Sequence, residues 1–180
     1  MTASVPILAR AAHRAPAVHE MGRRRVASQL FGEMIVSEDS ILEFPEGLFG
    51  FASCRQWVLV TAERPGWCWL HALDHPALAF LLADPFEAAE EFSVELSPQD
   101  LAVLGAKRAT DVAVFAIVTL PVAEGHKMTM NLMGPVAIAL PSRRGRQLVL
   151  GDSRYGAKVP LSGASATRAQ VRRGSDDTEA

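Results

Sequence analysis

His71, Asp74 and His75 lie close together in the chain, and His126 offers a further imidazole from a distant segment. Imidazole and carboxylate are donors that zinc accepts, but two histidines four apart share a face only on a helix. Pro76 and the apolar run before His71 argue against a helix there. The triplet therefore reads as a polar turn closing a strand, and no metal is expected. Asp74 and Asp84 invite a second reading, as paired carboxylates for acid–base work. Each stands at or near a proline, where aspartate turns back onto its own backbone, and the turn is the preferred reading. The chain holds no G-x-S-x-G, no Walker-type phosphate loop and no dinucleotide fingerprint. Neither Cys54 nor Cys68 has an obvious histidine partner, and both read as small buried hydrophobes. No catalytic residue, cofactor or enzymatic activity is expected.

Residues suited to gripping a polypeptide are more prominent. The stretch Phe44-Pro45-Glu46-Gly47-Leu48-Phe49-Gly50-Phe51 sets a proline and two glycines among large apolar side chains, a shaped loop that must bury them on the core or under a partner. Phe44, Pro45, Gly47, Leu48, Phe49 and Phe51 are therefore candidate partner-binding residues. Glu87, Glu90, Glu91 and Glu95 form the densest acidic run; a solvated helix face is the plain reading and a dock for a basic partner the sharper one. Trp67 and Trp69 share a strand face with His71 while Cys68 and Leu70 take the other. Packing inside a barrel is preferred for the pair over an interface anchor. Arg143-Arg144-Gly145-Arg146 reads as a solvated hairpin tip, and the same reading covers Arg23–Arg25.

The elements that must position these residues are short. Val26–Leu30 and Met34–Val36 read as strands with Gly32 as a bend between them, and Ile41–Phe44 is extended. Trp57–Thr61, Trp67–Leu73 and Ala79–Ala83 are strands bounded by Arg64-Pro65-Gly66 and Asp84-Pro85. Phe86–Phe92 is expected to form an acidic helical turn. A clearer helix runs from Ser97 to Leu104, with Ser97 as N-cap, Pro98 first and Gly105 past the end. Val112–Val118 lacks polar alternation and should be a central strand buried on both faces. Met128–Leu132 and Val136–Leu140 are two pieces kinked at Gly134-Pro135, with Gln147–Leu150 returning through a Pro141–Arg146 tip. Together these describe a mostly all-β fold, a small antiparallel β-barrel with one or two short helices, with an open sandwich as the alternative.

A chain of 180 residues, 49% hydrophobic, suits one domain with tails. The division expected is a basic, disordered extension over 1–24, the barrel over 25–161 and a disordered tail over 162–180; Met21 offers a second start. Residues 1–25 hold five arginines against one glutamate, whereas 26–161 hold ten basic against sixteen acidic residues. An acidic body suits a basic protein better than a phosphate backbone, so no direct nucleic-acid binding is expected. No run approaches the roughly 20 apolar residues of a membrane span. Two cysteines in so long a chain fit a reducing compartment, hence the cytoplasm.

The assembled motifs resemble the FliW family of bacterial flagellar assembly factors. Arg25–Val36, with Phe31-Gly32-Glu33 at its centre, is similar to that family's opening strand, and Phe44–Phe51 resembles its F-P-x-G-L-x-G-F loop. Asp74-His75-Pro76 through Phe80 to Asp84-Pro85 resembles paired D-P turns, and Thr129–Pro135 resembles a T-V-N-L-x-A-P segment, with Gly134 where alanine is usual and His75 where an acid is common. The match continues through Arg143–Leu150 to Asp152, Tyr155 and Pro160-Leu161. The resemblance implies a β-barrel that binds the RNA-binding regulator CsrA and flagellin in competition, and so controls translation of flagellin messenger RNA. Asn131 reads as a polar strand residue satisfying a bulge. Rival readings are a cofactor-binding small barrel, such as a flavin enzyme, and a direct nucleic-acid binder.

Overall fold

The computed structural model describes residues 22–123, 126–151 and 154–161. The strands are β1 (Arg23–Ser28), β2 (Gly32–Ser37), β3 (Leu42–Glu43), β4 (Gln56–Thr61), β5 (Cys68–Ala72), β6 (Ala79–Ala83), β7 (Val112–Thr119), β8 (Thr129–Ala139), β9 (Arg144–Gln147) and β10 (Val159–Pro160), and one helix, α1 (Pro98–Leu104), precedes β7. Strands β8, β7, β6, β5, β4, β3 and β9 pair in that order, and β9 pairs back onto β8, closing a seven-stranded barrel. Closure removes the free edges that so many short strands would otherwise expose. The barrel expectation therefore holds over the open sandwich, with one departure from an all-antiparallel sheet: β3 and β9 run parallel, Glu43 opposite Arg144.

Alternation along the strands divides the core in two. Facing inward are Trp57 of β4, Cys68, Leu70 and Ala72 of β5, Leu82 of β6 and Val136 and Ile138 of β8, with Leu42, Phe44 and Leu48. The outer face of β6, β7 and β8 is just as dry, because Leu104 of α1, Phe92, Leu148, Tyr155 and Leu161 cover it. A third, smaller cluster holds the β1–β2 hairpin, where Val26 and Val36 pack on Val58 and Leu73.

Strand β7 alternates buried and half-buried rather than being buried on both faces, because Phe115 and Ile117 face inward but lie only partly covered. The pieces Met128–Leu132 and Val136–Leu140 are one strand, β8, carrying a bulge where Phe115 pairs with Val136 but Ile117 with Asn131. Asn131 Oδ1 accepts from the N–H groups of Met133 and Gly134, satisfying the bulged backbone as its residue type suggested. The helix is built as its sequence implies: Ser97 and Asp100 form a reciprocal capping box, Pro98 opens the first turn and Gly105 ends it at φ 61°.

Two local expectations are corrected. Phe86–Phe92 is not helical: a single 3₁₀ turn over Pro85–Glu87 is followed by irregular turns, since Phe86 and Phe92 are both drawn toward the outer core and stack at 5.9 Å. The arginine-rich tip is also not merely solvated, because Arg144 and Arg146 lie within β9 and make ion pairs. Strand β1 starts at Arg23. The N-terminal residues 1–21, Asp152 and the tail 162–180 lie outside the described residues. No helix among the described residues is long and apolar enough to cross a membrane.

Candidate protein-binding surfaces

The loop between β3 and β4 sorts its apolar residues into two sets. Phe44 and Leu48 are sealed, at 0% and 2% exposure, whereas Phe49 and Phe51 stand at 59% and 36%. The turn that divides them depends on Gly47: its φ is +70°, and a Cβ there would lie 2.6 Å from the Phe51 carbonyl oxygen. The Phe51 N–H donates to the Leu48 carbonyl and the Gly47 N–H to that of Phe44, so the loop is a chain of tight turns. Pro45 is half-buried at its start.

Side chains from β9 pin the loop from both sides. Gln147 accepts from the Phe49 N–H at 2.9 Å and donates to the Gly134 carbonyl at 3.0 Å, tying the loop to the β8 bulge. Arg146 pairs with Glu46 of the loop at 3.1 Å and with Asp100 of α1 at 3.0 Å. Aromatic contacts continue inward from the surface: Phe51 stacks edge-on against Phe80 at 5.4 Å, Phe80 lies 5.9 Å from Trp57, and Trp57 lies 5.9 Å from Phe44. Phe49 and Phe51 are thus held outward on a braced support rather than on a slack loop.

Two further large apolar residues are exposed on the backbone that Gln147 ties to the loop. Val149, at 71% exposure, lies two residues beyond Gln147 and so shares its face, and Met133 is exposed at the bulge. The alternation of Gln147-Leu148-Val149-Leu150 was the available signal: Leu148 is buried, which turns Val149 away from the outer core.

The acidic segment also divides. Glu87 accepts from the Trp67 indole N–H at 2.7 Å and pairs with Arg64 at 2.7 Å, while Arg64 lies 4.4 Å above the Trp67 ring. It is occupied in holding the β4–β5 turn against the segment after β6. Glu90, Glu91 and Glu95 are exposed. Trp67 is buried, but on the outer core under this segment and not inside the barrel as preferred; Trp69 is half-buried with its ring edge-on to Phe31 at 6.1 Å.

The candidate metal triplet is dispersed. His71 is fully buried, Asp74 pairs with Arg24 at 3.3 Å, and no group of three or more His, Cys, Asp or Glu suited to a metal occurs among the described residues. Asp84 caps the turn after it, accepting from the Phe86 N–H. Burial pushes the Cys68 thiol up to about 11, in keeping with a packed hydrophobe rather than a nucleophile.

Comparison with known proteins finds related chains and a related fold. The family model described as FliW protein matches residues 25–161. A flagellar assembly factor FliW from Natranaerobius thermophilus is 36% identical over 148 residues, covering 81% of this chain and 97% of its own. Its counterpart from Caldicellulosiruptor saccharolyticus is 37% identical over 131 residues, covering 72% and 85%. A crystal structure of the flagellar assembly factor FliW superposes with a TM-score of 0.70 at 30% identity, covering 77% of this chain and 96% of that one.

Proposed function

Starting from the fact that the chain belongs to the FliW family of flagellar assembly factors, we propose that it acts in the cytoplasm by binding proteins, as an antagonist of CsrA and a partner of flagellin. The observation that carries this reading is the pair Phe49 and Phe51, exposed on a loop that Gln147 and Arg146 hold in place. Exposed aromatics on a braced support are the usual anchors of a protein interface, since little conformational freedom is lost when they are covered.

Two surfaces of different chemistry serve two partners. The apolar loop takes a flagellin segment. The exposed Glu90, Glu91 and Glu95 take the basic face of the RNA-binding regulator. Phe51 rests on Phe80 near the start of β6, whereas the acidic segment leaves the other end of that strand. Binding CsrA frees the flagellin transcript for translation; accumulating flagellin draws this protein away and restores repression.

An affinity pull-down from native lysate, with and without added flagellin, tests the scheme. Capture of CsrA that declines as flagellin is added is the expected result. Failure to retain either protein, or CsrA capture indifferent to flagellin, overturns it.

A further inference from the structure

His71 is 0% exposed, and neither ring nitrogen makes a hydrogen bond of good geometry, the backbone at Pro76 and Ala72 being the nearest polar groups. A buried imidazole without partners is costly even when neutral, and much more so when charged. What seals it is the tip of the β1–β2 hairpin: the Phe31 ring lies 6.0 Å from His71 and 6.1 Å from Trp69.

The hairpin is weakly joined to the barrel. It forms its own two-stranded sheet, with no strand pairing to the other eight strands. Its attachments are the small cluster around Val26 and Val36, one backbone bond from the Gln29 N–H to the Pro76 carbonyl at 2.8 Å, and the Arg24 side chain on Gln56 and Asp74. A lone two-stranded hairpin has little stability of its own, so these few contacts hold it.

We propose that this hairpin is a proton-released flap: protonation of His71 beneath its tip frees β1 and β2 from the outer face of β4 and β5 while the barrel stays closed. Release uncovers Val58 and Leu73, which the closed state buries, and frees the half-buried Val60 and Trp69 beside them. The proposal is independent of which partners the protein binds.

Apart from the Pro76 and Ala72 backbone, the surroundings place no uncommitted anion against the ring to neutralise the added charge. Opposite His71 stand Val58 of β4 and Ala79 of β6, and neither strand carries a charged residue. On the hairpin, Arg24 is committed to Asp74 and Arg25 to Glu33, and Arg23 adds only positive charge. The β5–β6 loop contributes Asp74 and an exposed His75. Desolvation by burial lowers the His71 pKa below its ordinary value, with the backbone at Pro76 and Ala72 pulling less strongly the other way. A ring released to water titrates at about 6.5. The closed state's advantage is therefore complete above that pH and falls as pH drops from there toward the lowered value, by at most about tenfold per pH unit for one proton.

Hydrogen exchange of the full chain between pH 7.5 and 5.5, corrected for intrinsic rates, reads the flap directly. Amides of Arg23–Ser37 are expected to lose at least fivefold protection while those of β7 and β8 hold, and H71F is expected to abolish the loss. Hairpin protection indifferent to pH, a loss that persists in H71F, or a loss shared equally by β7 and β8 overturns the proposal. Should H71F not fold, an NMR titration of the wild-type ring decides: a His71 pKa below 6.5 with hairpin amides titrating alongside supports the flap, and a ring at or above 6.5 or unresponsive hairpin amides refutes it.

Discussion

Gly145 has no side chain because Phe44 occupies the space: a Cβ there would lie 2.1 Å from the Phe44 ring. That ring is fully buried and flanked by Trp57, so it has nowhere to move. Gly145→Ala should cost about 3 kcal/mol, the upper end for overpacking a tight core, seen as a lower urea midpoint with unchanged slope. Glu87 makes a separate case. Glu87→Gln keeps an acceptor for the Trp67 indole and loses only a half-exposed ion pair, so less than about 1 kcal/mol is expected. Glu87→Ala strands that indole N–H and should cost about 1–3 kcal/mol in the same assay. These distinctions were illegible in the sequence. Phe44, Leu48, Phe49 and Phe51 are alike in type, and a chain of turns has no period from which to read which side chain faces in. Gly47 was the visible clue that a turn separates them, but not its direction.

Elements with a regular period are legible in the sequence, and those set by long-range packing are not. Helix α1 was fixed by local signals, Ser97, Pro98 and Gly105, each acting within a turn or two of its own backbone. The segment Phe86–Phe92 carries helix formers, yet its two phenylalanines must both reach the outer core, and irregular turns bring them there where one short helix face does not. The bulge in β8 is legible as Gly134-Pro135, and the residue that stabilises it as Asn131. Asn131→Ala leaves the Met133 and Gly134 N–H groups without their acceptor and should cost about 1–3 kcal/mol. Asn131→Asp retains the acceptor and should recover most of that loss. Exchange of the Met133 and Gly134 amides, faster in the alanine variant and near normal in the aspartate one, checks the assignment to the bulge.

Across the whole molecule, the barrel closes through pairs far apart in sequence, β3 with β9 above all, so short strands and Gly/Pro turns implied closure without giving its register. Charge was legible only as a sum: sixteen acids against ten bases over 26–161 suggested a basic partner, but the sum does not say which acids are free to meet it. Packing answers part of that, because Glu87, Glu43, Glu46 and Asp100 are engaged by arginines of the same chain while Glu90 and Glu91 stand exposed. If the two surfaces serve different partners, they should fail separately. Reversing Glu90 and Glu91 to lysine places like charges before a basic partner and should weaken CsrA binding at least about tenfold near 0.15 M salt, where the Debye length is about 8 Å. The deficit should shrink near 1 M salt, where the Debye length falls to about 3 Å. Flagellin binding should be untouched. Phe49→Ser should do the opposite, costing flagellin about 2 kcal/mol, or roughly thirtyfold, as loss of an aromatic anchor does, with no salt dependence. At 59% exposure Phe49 contributes little to the fold, so unchanged thermal unfolding separates lost binding from lost structure. Titration calorimetry of both variants against both partners reads all four outcomes. A single variant that abolishes both bindings while leaving unfolding intact would mean one shared surface rather than two.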